Sequence, residues 1–142
     1  MSYELIFLIN TFASFFMTGL IWTVQQVHYP SFHFVGTTGF KGFQQHHVHS
    51  IGKIVVPIMI IELGTSLGLA WMSGWLSLDA MGFYVVILIW ITTGLFSVPE
   101  HAKLETGKDD KVISRLVSTN WIRTLLWTLK SGISFFLLWQ MV

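Results

Sequence analysis

The stretch FQQHHVHSIGKIVVPIMIIE, residues 43–62, sets the expectations for the rest of the chain. It opens with His46, His47 and His49, becomes apolar, and ends on a carboxylate, Glu62, inside the apolar run. Histidine is the usual proton carrier near neutral pH and the commonest metal ligand. A charged residue within a membrane span is costly unless it is paired or faces a polar cavity. The stretch therefore predicts a helix that enters a membrane beside a polar site.

The composition is typical of a membrane protein. Of the 142 residues, 53% are hydrophobic and only 11% are charged, with a mean hydropathy of +0.65. A soluble domain carries roughly 25% charged residues, so we expect this chain to lie in a lipid bilayer. The sequence has no cysteine, which excludes disulfides and thiolate ligands. The net charge of +1 gives no reason to expect nucleic acid as a partner.

Four apolar runs are each long enough for the ~20 residues that a membrane-spanning helix needs. The predicted fold class is all-α, an integral membrane antiparallel four-helix bundle in a single domain. Pro30 is expected to end the first helix, Pro57 to distort the second, and the third to continue past Pro99. Asp109 or Asp110 is expected to cap the last helix. The predicted spans lie at about 5–27, 51–71, 80–98 and 121–141.

The positive charges predict the orientation of the bundle. Seven of the eight basic residues lie in the first and third connections or at the helix ends beside them, and the second connection and both termini have none. The positive-inside rule then places the two long connections in the cytoplasm and both termini outside. The seven residues are Lys41, Lys53, Lys103, Lys108, Lys111, Arg115 and Arg123.

Three of the predicted helices place a histidine at this cytoplasmic end: His28, His47 and His101. Three imidazoles from three helices are typical of a transition-metal site with an open position, for Fe, Cu or Zn. The alternative is that they are ordinary residues at headgroup level. Asn120 and Arg123 begin the fourth span, where we expect them to orient an anionic or carbonyl group of a substrate.

Helix geometry selects one histidine of the triplet. At roughly 100° per residue, His47 lies about 60° from Glu62 around the helix, whereas His46 and His49 lie about 160° and 140° away. If Glu62 faces the bundle interior, His47 faces it too, and the other two face headgroups or water. His33 is expected to be a loop residue.

Glu62 has an expected partner in Lys130, which lies at a similar depth in the fourth span. The pair either fixes the register of the two helices or relays protons, since buried membrane charges pair or line a cavity. Glu62, Lys130, Arg123 and Asn120 are therefore the candidate catalytic residues. Twelve Phe and seven Trp residues either contact lipid or form an aromatic pocket for a hydrophobic ligand.

Short motifs resemble a family of small bacterial four-helix membrane proteins. They are HYPSF at 28–32, His47 with PIM at 57–59 and Glu62, VPEH at 98–101, and TNWIRT at 119–124. The resemblance implies the bacterial inner membrane. The four-span layout and the NWIRT stretch are also similar to anthrone oxygenase-like membrane proteins, and that similarity implies an oxidative reaction on a flat, lipophilic substrate.

These observations lead to three functional hypotheses. The first is a metal-dependent membrane oxidoreductase that acts on a lipophilic small molecule. The second is a non-catalytic protein that binds haem or another hydrophobic ligand, or an accessory subunit of a larger membrane complex; a homo-oligomer is also left open. The third is a proton-coupled carrier that uses Glu62 and Lys130.

Overall fold

The computed structural model describes residues 2–141, which form four helices joined by short connections. The first helix packs against the second and the fourth, and the third packs against the same two, so the helices close into a four-helix bundle. No β-strand occurs among residues 2–141, and the prediction of an all-α fold is confirmed. The four helices are Tyr3–Phe34, Thr37–Ser73, Leu78–Leu104 and Asp110–Met141.

The predicted end of the first helix at Pro30 is wrong. The backbone widens into a π-helical turn at Val24–His28 and then stays helical, ending in a 3-10 turn at Phe34. A proline crowds the carbonyl four residues earlier and removes one hydrogen bond, and that residue, Gln26, lies inside the π turn. Pro57, by contrast, lies inside the uninterrupted α-helix Thr37–Ser73.

The third helix passes its proline in the same way as the first. A π turn at Thr93–Ser97 precedes Pro99, and the helix continues to Leu104, as the sequence predicted. The π turns of the first and third helices each come just before a proline, and both supply residues to the cavity described below.

The helix ends follow ordinary capping chemistry. Asp109 Oδ1 accepts the backbone N–H groups of Lys111 (2.8 Å) and Val112 (3.2 Å), which confirms the predicted cap of the fourth helix. The second helix ends at Gly74, whose φ of 87° is a conformation that favours glycine.

Polar and apolar side chains are distributed the opposite way from a soluble bundle. The charged residues Glu62, Arg123 and Lys130 are only 1%, 6% and 3% exposed, whereas large apolar side chains such as Phe12 and Leu95 face outward. Three helices are long and apolar enough to cross a membrane: Tyr3–Phe34, Thr37–Ser73 and Leu78–Leu104. The fourth helix is less apolar in composition because it carries Arg123 and Lys130 on its buried face, so its span at 121–141 stays a prediction.

Candidate functional site

The three predicted histidines come together at one end of the bundle. His28 Nε2 lies 2.8 Å from His47 Nδ1, and the ring centroid of His47 lies 4.6 Å from that of His28 and 5.3 Å from that of His101. His47 is buried, whereas His46 and His49 are exposed. His47 is therefore the member of the triplet that faces the bundle interior, as helix geometry predicted.

Gln44 and Tyr29 hold His101 in one orientation. The Gln44 side-chain amide donates to His101 Nδ1 (2.9 Å) and also to the His101 backbone carbonyl (3.4 Å), and the second contact fixes which way the amide points. Nδ1 is therefore an acceptor, and Nε2 carries the hydrogen in the neutral ring. That hydrogen is donated to the Tyr29 hydroxyl oxygen at 3.0 Å, which leaves the hydroxyl hydrogen of Tyr29 free for another acceptor.

Arg123 is the cation of the site. One terminal guanidinium nitrogen donates to Ser97 Oγ and to Asn120 Oδ1, both at 3.0 Å. The guanidinium carbon lies 5.2 Å from the ring centroid of Trp127, a cation–π distance. The Asn120 amide in turn donates to Gln25 Oε1 at 2.9 Å, so Asn120 is held by the first helix and positions Arg123.

A cavity of about 170 Å³ lies beside these groups and is lined by all four helices. Most of its wall is apolar, and Tyr29, His101 and Arg123 provide polar groups at its surface. For comparison, an engineered cavity of about 150 Å³ holds benzene, so this space suits one small ring or the end of a chain. The remaining lining residues are Met17, Leu20, Ile21, Val24, Val48, Ile51, Gly52, Val55, Thr93, Ser97 and Val98.

The histidines do not form a ready metal site in this arrangement. Both ring nitrogens of His101 and one each of His28 and His47 are in hydrogen-bond contacts. His47 Nε2 is buried with no partner, so it could ligate without losing a contact. Within residues 2–141 no group of three His, Cys, Asp or Glu residues is arranged to hold a metal. Ligation by all three rings therefore requires at least His101 to give up a hydrogen bond.

Glu62 and Lys130 form a second buried cluster, away from the cavity. They are not in direct contact: the Lys130 ammonium donates to Ser14 Oγ at 3.1 Å, and Ser14 Oγ donates to Glu62 Oε1 at 2.7 Å. Lys130 also donates to Asn10 Oδ1 (2.7 Å) and to Ser134 Oγ (3.0 Å), which satisfies all three of its N–H groups. The predicted direct pair is thus a bridge through Ser14.

The indole of Trp127 separates the two polar regions. Its N–H donates to Glu62 Oε2 at 3.0 Å, and its ring lies under Arg123. The side chain is fully buried. Glu62 therefore accepts two hydrogen bonds, from Ser14 and Trp127, and it has no contact with the histidine end of the bundle.

The connections beside the histidine end are joined by a surface ion pair. His33, in a 3-10 turn rather than a loop, places Nδ1 2.9 Å from Asp110 Oδ1. The hydrogen bond from His33, with a further contribution from the charge of Lys108, holds the pKa of the Asp110 carboxyl below its usual range. Lys108 also donates to the backbone carbonyls of His33 (2.6 Å) and Val35 (3.0 Å), so the first and third connections hold each other in place.

Gln25, Gln44 and Tyr29 were missed as site residues by the sequence reasoning. Gln25 precedes His28 by three positions and Gln44 precedes His47 by three, so each glutamine lies one turn before a histidine on the same helix face. That spacing was a usable signal. Tyr29 carried no such signal, because its position in the cavity depends on the π turn before it.

No family model matches the chain, and comparisons with curated proteins and with solved structures also find no match.

Proposed function

We propose that this chain is an integral membrane protein that binds a small lipophilic molecule in the cavity and acts as an enzyme on the polar end of that molecule. The observation that carries the proposal is the convergence of Tyr29, His101 and Arg123 on an otherwise apolar cavity. Small-molecule sites are typically apolar spaces with a few convergent polar groups of this kind.

The membrane assignment is supported by the exposed apolar surface and by the three long apolar helices. An antiparallel arrangement is supported by contacts in opposite order along the first two helices: Asn10 contacts Ser66, whereas His28 contacts His47. The orientation with both termini outside follows the distribution of basic residues, and the bacterial inner membrane is what the resemblance of the short motifs implies. Such a protein takes its lipophilic substrate directly from the bilayer.

The groups at the cavity favour chemistry at a carbonyl. The free hydroxyl hydrogen of Tyr29 is available to an acceptor oxygen, and His101 Nε2–H donates a hydrogen bond to the tyrosine oxygen. Tyr29 would donate a proton to a carbonyl oxygen, His101 would stabilise the resulting phenolate, and Arg123 would stabilise negative charge that develops on the substrate. These roles suit the reduction of a carbonyl to an alcohol, in which a hydride donor bound as co-substrate would supply the hydride to the carbonyl carbon and Tyr29 the proton to its oxygen.

The binding half of this proposal is tested with acetophenone, a neutral aromatic ketone of the right size. Tryptophan fluorescence of the protein in detergent should show saturable binding. Val24→Trp, which fills the cavity, should abolish it, whereas Leu8→Trp on the outer surface should not. Circular dichroism checks that both variants are folded. Binding that is absent in the wild type, or unaffected by Val24→Trp, would overturn the proposal.

Catalysis is tested by incubating the protein with lipophilic ketones and a hydride donor, NADH or NADPH, and following the alcohol product by mass spectrometry. Tyr29→Phe should bind acetophenone but lose turnover, because it removes only the proton donor. Binding without turnover of any ketone would instead support the non-catalytic hypothesis of a hydrophobic-ligand protein or accessory subunit. The size of the cavity favours a small ring over a haem as that ligand.

A metal-dependent oxidoreductase is the second candidate. It is favoured by the buried, unpartnered Nε2 of His47 in the middle of three imidazoles. A transition metal would supply a Lewis acid or an electron carrier at this place. Metal quantification should then show that His28→Ala, His47→Ala and His101→Ala each lose the metal, while the exposed His46 and His49 can be replaced without loss. A wild-type protein purified without chelators and free of metal would exclude this candidate.

A further inference from the structure

The guanidinium of Arg123 has no negative partner in the described part of the chain. It is 6% exposed, and no carboxylate among residues 2–141 forms an ion pair with it. Its hydrogen-bond partners, Ser97 and Asn120, are neutral, and so is the indole of Trp127. Arginine remains protonated in proteins, so the bundle contains a buried positive charge without a counter-charge, which is costly.

The carboxylates in the surroundings are already engaged elsewhere. Glu100, beside His101 in the sequence, forms ion pairs with Lys103 at 2.8 Å and Arg115 at 3.7 Å. Glu62 accepts hydrogen bonds from Ser14 and Trp127 on the far side of the indole. Glu100 Oε2 has no partner, but neither carboxylate forms an ion pair with Arg123.

Arg123 also retains unused donor capacity next to the cavity. Its Nε is buried and has no hydrogen-bond partner, and only one of its two terminal nitrogens donates to protein atoms. The hydroxyl hydrogen of Tyr29 is free as well, because the tyrosine oxygen accepts from His101. The cavity therefore offers hydrogen-bond donors and a positive charge against an apolar wall.

We propose that the ligand carries an anionic oxygen group, a carboxylate or an enolate-like oxygen, and that Arg123 is its counter-charge while Tyr29 donates the accompanying hydrogen bond. This inference rests on the proposed function, since it uses the same cavity, and it narrows the ligand class to small lipophilic anions. The apolar part of the ligand is one ring or a short chain, as the volume of about 170 Å³ requires.

The test compares benzoate with benzamide, a neutral molecule of almost the same shape, at neutral pH by isothermal titration in matched detergent. Wild type should bind benzoate about 10- to 100-fold more tightly, the range for a hydrogen bond to a charged group. Arg123→Gln should remove that preference and leave benzamide binding within about threefold. Arg123→Lys should restore part of it, because the charge returns without the planar donor fork.

Octanoate and octanamide in a parallel titration distinguish a chain-like anion from a ring-like one, and tighter binding of either acid than of its own amide supports the inference. Equal affinity of each acid and its amide in wild type, with binding lost in Val24→Trp, would overturn the anionic ligand but keep the proposed cavity. A preference for benzoate that survives in Arg123→Gln would also overturn it. If none of the probes binds, the proposed function fails together with this inference.

Discussion

Replacing Lys130 by Met should destabilise the bundle strongly, and replacing Glu62 by Gln in the same chain should add little to that loss. Lys130 donates to three oxygens, and its charge faces the Glu62 carboxylate across one hydroxyl, that of Ser14. Removal of either charge leaves the other uncompensated in a buried environment. The double change should therefore cost much less than the sum of the two single changes.

The magnitude follows from the bridged geometry. Opposite charges 4 Å apart attract by about 4 kcal/mol at an effective dielectric constant of about 20, and charges about 6 Å apart by about 3 kcal/mol. The two hydrogen bonds through Ser14, 2.7 and 3.1 Å long, place this pair between those separations. We expect each single variant to lose about 3–4 kcal/mol of unfolding free energy, within the range for a broken buried pair.

The assay is a double-mutant cycle measured by SDS-induced unfolding in mixed micelles, followed by circular dichroism. The coupling energy between Glu62→Gln and Lys130→Met should be about 2–3 kcal/mol, since sites that share partners are coupled. Ser134→Ala is the matched control: it removes one neutral acceptor from Lys130 and should cost only about 1 kcal/mol. Additive single costs, with a coupling below about 0.5 kcal/mol, would show that the bridge through Ser14 does not link the charges.

Three further predictions concern other parts of the bundle. Gly82→Ala should destabilise the protein, because its Cβ would lie 3.2 Å from Lys130 Cε and three hydrogen bonds of the Lys130 ammonium keep that side chain from shifting. Gly64→Ala, with no atom within 4 Å of its Cβ, is the control, and equal melting temperatures of the two variants would contradict this packing. Gly107→Cys should be labelled by a membrane-impermeant maleimide only after cell lysis, whereas labelling of intact cells would place the third connection outside. The lowered pKa of Asp110 means that its pair with His33 stabilises the fold above the ordinary value of 3.8 and is lost as the pH falls through the lowered pKa. With Asp110→Asn, the melting temperature should therefore fall less steeply as the solution becomes acidic. An unchanged pH dependence of the melting temperature would argue against this pair.

The sequence predicted the elements whose cause is local. Composition and the length of the apolar runs predicted the helices. The rotation of 100° per residue predicted that His47 faces the bundle interior and that His46 and His49 face outward. Capping by Asp109 also depends only on neighbouring residues. These features needed no knowledge of which helix packs against which.

The sequence reasoning failed where a contact depends on the tertiary arrangement. The first helix passes Pro30 through a π turn at Val24–His28, and the sequence carries no local signal for that turn. The bridge through Ser14 depends on the rotation of the first helix against two others, which equal depth in the membrane does not determine. The sequence therefore identified Glu62 and Lys130 as neighbours but not the hydroxyl between them.

The position of Trp127 supports the proposed enzyme over the proton-coupled carrier. A carrier based on Glu62 and Lys130 needs a path for protons between that cluster and the histidine end of the bundle. The indole lies between them, and its N–H is a donor without an accepting lone pair, so it cannot receive and pass on a proton. Lys130, with its three donors satisfied, is held in place in the manner of a structural cation. The unsatisfied donors and the buried, unpaired charge lie on the other side of Trp127, at the cavity, and the chemistry is expected there.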